Sequence, residues 1–93
     1  MDQHAFESEL AASGYDEVDV KGLDPKPVNT EHAHDYDIRG LVLDGIFAVW
    51  QNERVTHYRA GDIFDVPAGV KHSEEIGPDG ARVVIGRRAA QSL

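Results

Sequence analysis

Between Ile38 and Arg87 the chain is interrupted by turn signals every few residues, and this spacing limits what it can fold into. Ile38-Arg39-Gly40-Leu41-Val42-Leu43 runs into Asp44-Gly45, and Ile46-Phe47-Ala48-Val49-Trp50 leaves that pair, which predicts a hairpin. Gln51-Asn52-Glu53-Arg54 supplies a second polar turn before Val55-Thr56-His57-Tyr58, and Ala60-Gly61-Asp62 turns the chain into Ile63-Phe64-Asp65-Val66. Pro67-Ala68-Gly69 breaks that strand, Ile76-Gly77-Pro78-Asp79-Gly80 reads as a loop, and Arg82-Val83-Val84-Ile85-Gly86-Arg87 as the last strand. No stretch between these strands is long enough for a helical crossover. The expectation is therefore an all-β, antiparallel sandwich or barrel rather than a parallel sheet.

The segment before Ile38 divides in two. Phe6 and Leu10 stand at i and i+4 and Gly14 follows, so residues 4 to 13 predict a short helix, read as an N-terminal helical arm over 1–14. From Tyr15, Val18 and Val20 alternate with charged residues and predict a half-buried strand ending at Gly22, the start of a single β domain over 15–93. Pro25 and Pro27 then enforce an extended, non-helical connection.

That connection delivers Glu31-His32-Ala33-His34-Asp35-Tyr36-Asp37. In an extended chain residues i and i+2 project to one side, so His32 and His34 point together, with carboxylates close behind. His72 lies beyond the Pro67-Ala68-Gly69 turn and would supply a third imidazole if the fold brings it alongside. Three imidazole nitrogens suit a divalent transition metal, Fe, Zn, Ni, Mn or Cu. The chain contains no cysteine, so thiolate ligands, disulfides and cysteine nucleophiles are all excluded. His4 and His57, isolated in sequence, read as surface or structural histidines.

Seventeen acidic against nine basic residues give a formal net charge of −8, which disfavours nucleic acid and anionic membrane surfaces as partners. No apolar run approaches the roughly 20 residues that span a bilayer, and the polar start lacks a basic-then-apolar signal, so a cytoplasmic location is expected. A domain of this size buries only about 60–65% of its unfolded surface, and its sheet edges need cover, so a homodimer is expected.

The two histidine segments resemble the paired motifs of the cupin superfamily. The first motif has the form H-x-H-x3,4-E-x6-G and is met by His32, His34 and Gly45; the second, G-x5-P-x-G-x2-H, is met by Gly61, Pro67, Gly69 and His72. The resemblance covers roughly Asn29 to Arg88. It implies a jelly-roll β-barrel with His32, His34 and His72 as metal ligands inside it and a small-molecule ligand or substrate beside them. Such sites in the superfamily serve dioxygenases, isomerases and decarboxylases. The resemblance thus implies a metal-dependent, dioxygenase-type enzyme or, as the alternative, a non-catalytic small-molecule-binding or sensor module.

This chain departs from the pattern at the acid. Counting back from Gly45, Ile38 occupies the glutamate position and the nearest carboxylate, Asp37, falls one residue earlier, on the opposite face of a regular strand. Either a β-bulge returns Asp37 to the interior as fourth ligand, or the site is three histidines with solvent. The polar Asp35-Tyr36 pair has room for a bulge, and the expectation leans to Asp37, with Arg39 beside it near the pocket rim. Phe47, Trp50 and Phe64 are candidate pocket walls, although Phe47 and Trp50 lie on opposite faces of their strand. Glu74 and Glu75 read as solvated, one of them facing the barrel by alternation from His72.

Overall fold

A computed structural model describes residues 1–90, so positions 91–93 of the domain read over 15–93 lie outside the described residues. The elements are α1 (Gln3–Ala12), β1 (Glu17–Leu23), β2 (Tyr36–Gln51), β3 (Arg54–Arg59), β4 (Ile63–Val66) and β5 (Ser73–Ala89). All strand pairings among them are antiparallel, in the order β1-β5-β2-β3, with β4 also on β2. This is the antiparallel jelly-roll barrel with a short N-terminal helix that the turn spacing and the motifs predict.

β2 and β5 build both walls of the barrel. The first part of β2 pairs with β4 (Ile38↔Val66 to Leu41↔Ile63) and its second part with β3 (Ile46↔Arg59 to Gln51↔Arg54), while β5 runs along its other edge throughout. The Asp44-Gly45 pair, read from sequence as a hairpin turn, lies inside one continuous 16-residue strand. Gly45 does take the left-handed conformation that signals such turns (φ 77°), but it uses it for a bulge: the register with β5 shifts between Val42 and Asp44 and again between Gly45 and Phe47. Residues 77–80 of β5, the expected loop, stand opposite Ile46 alone, so this segment bends within a strand rather than ending one. A Cβ on Gly45 would collide with the Gly80 carbonyl, which shows how closely the two strands cross there.

The bulge inverts the alternation of β2. Ile38 and Val42 face the interior before it, and Phe47 and Val49 face the interior after it. The interior core joins Val42, Phe47, Val49, Phe64, Ile76, Ala81 and Val83. The β2–β3 hairpin closes on Asn52 and Glu53, both at positive φ, the backbone of a type I′ turn that matches strand twist.

On the outer face, α1 docks by Phe6 and Leu10, both fully buried against Tyr15, Leu41 and Val84. Burying two such side chains stabilises the helix by roughly 3–6 kcal/mol, so the segment is a packed element and not a loose arm. Asp2 caps its N-terminus through a 2.8 Å bond from the Ala5 amide. At the C-terminus Gly14 (φ 83°) donates to Ala11 and Tyr15 donates to Leu10, a Schellman arrangement sealed by the Tyr15–Leu10 contact. Gly86 of β5 forms the seat for Leu10, since a Cβ there would lie 2.8 Å from a Leu10 methyl.

Candidate metal centre

The extended chain after Pro27 lies along the start of β5 instead of forming a strand of its own. His32 and His72 form an isolated antiparallel bridge, and Asn29 and Glu74 exchange bonds one step further along: the Asn29 amide donates to the Glu74 carbonyl and the Glu74 amide to Asn29 Oδ1. The turn before His72 is held in place as well. The Gly69 amide donates to the His34 carbonyl at 2.8 Å, and the Ala68 amide to Asp37 Oδ1 at 2.9 Å.

These bonds bring three rings together. Centroid separations are 4.4 Å for His32–His72, 5.1 Å for His32–His34 and 5.2 Å for His34–His72. Glu74 joins them, its Oε1 lying 3.3 Å from Nε2 of both His32 and His72. One potential ligand atom from each of His32, His34, His72 and Glu74 falls within 4.8 Å of all the others, a group that could hold a metal ion.

The surroundings set which ring atoms face inward. Nδ1 of His32 lies 2.8 Å from the Thr30 carbonyl and Nδ1 of His72 lies 3.0 Å from the Val70 carbonyl. A carbonyl only accepts, so each Nδ1 carries a proton and each Nε2 is the ring nitrogen left to face Glu74 and the centre. His34 stacks instead on Tyr36, centroids 4.8 Å apart. Burial first, then the neighbouring His72 and His32 and more distantly Arg87, push the His34 pKa below the ordinary imidazole value, against the opposing pull of Glu74. The neutral, ligand-competent ring is favoured.

The donor set fits a divalent transition metal. Nε2 of His72 is buried, its residue 1% exposed, and it has no hydrogen-bond partner among the described residues; Glu74 Oε1 approaches it without hydrogen-bond alignment. A buried ring nitrogen left without a partner costs free energy that a cation at the centre of the group would offset. Three imidazoles with one carboxylate oxygen is a borderline ligand set that suits such an ion.

The other residues named from sequence divide between the two faces. Phe47 and Phe64 line a cavity of about 170 Å³ that reaches His34, His72 and Glu74, together with Ile38, Val49 and Val66. Asp37 is not in the group: its carboxylate takes the Ala68 amide and, at 3.0 Å, Arg88 Nε. Plain alternation accounts for this, because His34, Tyr36 and Ile38 all line the cavity and the bulge falls later, at Asp44-Gly45. Arg39 shares the face of Asp37; it binds both oxygens of Asp65 (2.9 and 2.8 Å) and Oε1 of Glu9 (3.1 Å), tying β2 to β4 and α1. Trp50 projects opposite to Phe47 and Val49, its indole N–H donating to Glu75 at 3.4 Å. Of Glu74 and Glu75, one of which alternation from His72 turns toward the barrel, Glu74 is the carboxylate that joins the histidines, at i+2 from His72.

An antiparallel jelly-roll barrel with three histidines and a carboxylate gathered beside its cavity defines the class of protein to which the fold and site belong. Residues 20–84 match the model of the cupin domain, and the chain belongs to that family. Among solved structures, EutQ of Clostridium difficile aligns with a TM-score of 0.67 and 20% identity, over 80% of this chain and 52% of its own. This chain therefore spans about half the length of that protein. KdgF from a Halomonas species aligns with a TM-score of 0.60 and 25% identity, over 75% of this chain and 67% of its own. A cupin-2 domain protein from Shewanella frigidimarina aligns with a TM-score of 0.63 and 16% identity, over 90% of this chain and 91% of its own. No curated protein matches the chain. No helix among the described residues is long and apolar enough to cross a membrane.

Proposed function

We propose that this cupin binds one divalent transition metal through His32, His34, His72 and Glu74 and acts on a small organic molecule held in the adjoining cavity, as a metal-dependent oxygenase-type enzyme. The observation that carries this reading is the convergence of four ligand atoms within 4.8 Å, one of them the buried and unmatched Nε2 of His72. A metal bound there would supply Lewis acidity or, as iron, redox chemistry. The protein's own part is positioning and exclusion of water. The carbonyls of Thr30 and Val70 fix the tautomers of His32 and His72, Tyr36 steadies His34, and Ile38, Phe47, Val49 and Phe64 give the cavity apolar walls.

Metal analysis of protein purified without chelators tests the first half of this proposal. About one transition-metal ion per chain is expected, and stoichiometric binding that survives the triple change of His32, His34 and His72 to Ala overturns it. Oxygen-uptake screening of the metal-loaded protein over thiol, sugar, acyl and aromatic compounds tests the second half. Binding without turnover would assign the chain to the non-catalytic ligand-binding or sensor class.

We also infer a homodimer. β1 is an edge strand exposed along most of its length, and its outer face carries Val18 and Val20, which a second copy would cover.

A further inference from the structure

The cavity has a second polar feature besides the histidines, where β1 lies on the C-terminal half of β5. Lys21 and Leu23 of β1 and Ile85 and Arg87 of β5 line it, each pair at i, i+2 on the inward face of its strand. In a chain of formal net charge −8, this cavity is lined by two cations, Lys21 and Arg87, against one carboxylate, Glu74. Glu74 is already turned to the histidines, at 3.3 Å from two of them. Leu23, Ile38, Phe47, Phe64 and Ile85 give the same cavity its apolar surface.

Arg87 is poorly matched where it stands. Its side chain is 21% exposed, and among the described residues it donates one hydrogen bond, from Nη1 to Oδ2 of Asp19 at 3.2 Å. Asp19 is mostly solvated, and a single-pronged pair of this kind holds a guanidinium weakly. A planar, five-donor group at the rim of an apolar cavity is suited to a carboxylate held by two parallel bonds, and Asp19 shows which chemistry it takes when nothing else is offered. Size narrows the choice further. A cavity of about 150 Å³ encloses one benzene-sized molecule, so about 170 Å³ admits an apolar body of roughly six heavy atoms.

We propose that Lys21 and Arg87 bind the carboxylate of a small aromatic or branched organic acid, whose apolar body fills the cavity and whose far end lies against the histidine group. Arg87 exchanges Asp19 for the ligand, and Lys21, at the exposed end of the lining, adds the second positive charge. The proposal rests on the reading of the cavity as a ligand site and holds whether or not the histidines carry a metal.

Benzoate and its uncharged isostere benzamide are the probes, titrated into the full metal-free chain and followed by amide shifts in β1 and β5 and by calorimetry. Saturable benzoate binding is expected, weakened about tenfold or more for benzamide and about tenfold in the Lys21→Gln/Arg87→Gln double variant, a difference of about 1.4 kcal/mol. Lys21→Gln alone, at an exposed position, should weaken benzoate severalfold with the fold intact by circular dichroism. Three results overturn the proposal: equal affinity for benzoate and benzamide, unchanged benzoate affinity in the folded variants, or no benzoate binding at about 10 mM. The first and third need only the wild-type chain, so a double variant that failed to fold would not remove the test. Zinc titration of the same samples reads the metal site separately.

Discussion

His32 and His72 exchange both backbone hydrogen bonds across one antiparallel bridge, His32 N to His72 O at 2.8 Å and His72 N to His32 O at 2.9 Å. Directly opposed residues project to the same side, so the 4.4 Å between the rings is set by the backbone before any ligand arrives. Glu74, two residues beyond His72, inherits the same face.

Glu74→Gln should weaken transition-metal binding by about tenfold or more, because it removes the one charged ligand while keeping size and hydrogen bonding. Glu75→Gln, on the opposite face and bonded to Trp50, should leave it unchanged. Competition titration with a chromogenic chelator measures both, and equal losses in the two variants would argue against Glu74 as a ligand.

Asp37→Asn should leave metal stoichiometry intact and lower stability by about 1 kcal/mol in urea unfolding, since it removes the charge that faces Arg88 on a side chain still 15% exposed. The Ala68 amide first, then Arg88, hold the Asp37 pKa below the ordinary carboxylate value. A depressed folded-state pKa gives stability that is complete above the unfolded value of about 3.9 and is lost as the pH falls through the folded one. Wild-type and variant stabilities should therefore differ near neutrality and converge in acid; a constant gap across the titration would contradict this.

Gly45→Ala should cost about 2–3 kcal/mol or more, from a left-handed backbone and a Cβ driven into the Gly80 carbonyl. Thermal unfolding provides the measurement. An alanine variant as stable as wild type would mean that β2 and β5 do not cross as described.

The wild-type chain should sediment as a dimer at micromolar concentration, and Val18→Lys/Val20→Lys should shift it to monomer without loss of secondary structure. A wild-type monomer under those conditions would remove the homodimer from the proposal.

The fold was legible because turn residues and alternation are local properties, and the histidines because two short motifs fix their spacing. The conformation a glycine adopts is also local, but what surrounds it is not. Asp44-Gly45 carries the dihedral preference of a hairpin, and only the continued pairing of β5 past it makes the same backbone a bulge. That ambiguity decided the acid. With the bulge at Gly45, uninterrupted alternation from His34 turns Ile38 inward and Asp37 outward, where it secures the turn that carries His72. Arg39 and Trp50 obey the same parity. Lys21 and Arg87 left no sequence signal, since their meeting in one cavity depends on the β1–β5 register and on the way the barrel closes.

The bridge between His32 and His72 also closes a chain loop of about forty residues that contains the Asp44-Gly45 bulge, β3 and β4. A metal gripping both rings would tie off that loop as a removable cross-link. In the chain-entropy account, constraining a loop of this length disfavours the unfolded ensemble by about 4 kcal/mol. A protein without a single cysteine would thus gain the equivalent of a disulfide, one that a chelator or acid can open without any redox chemistry.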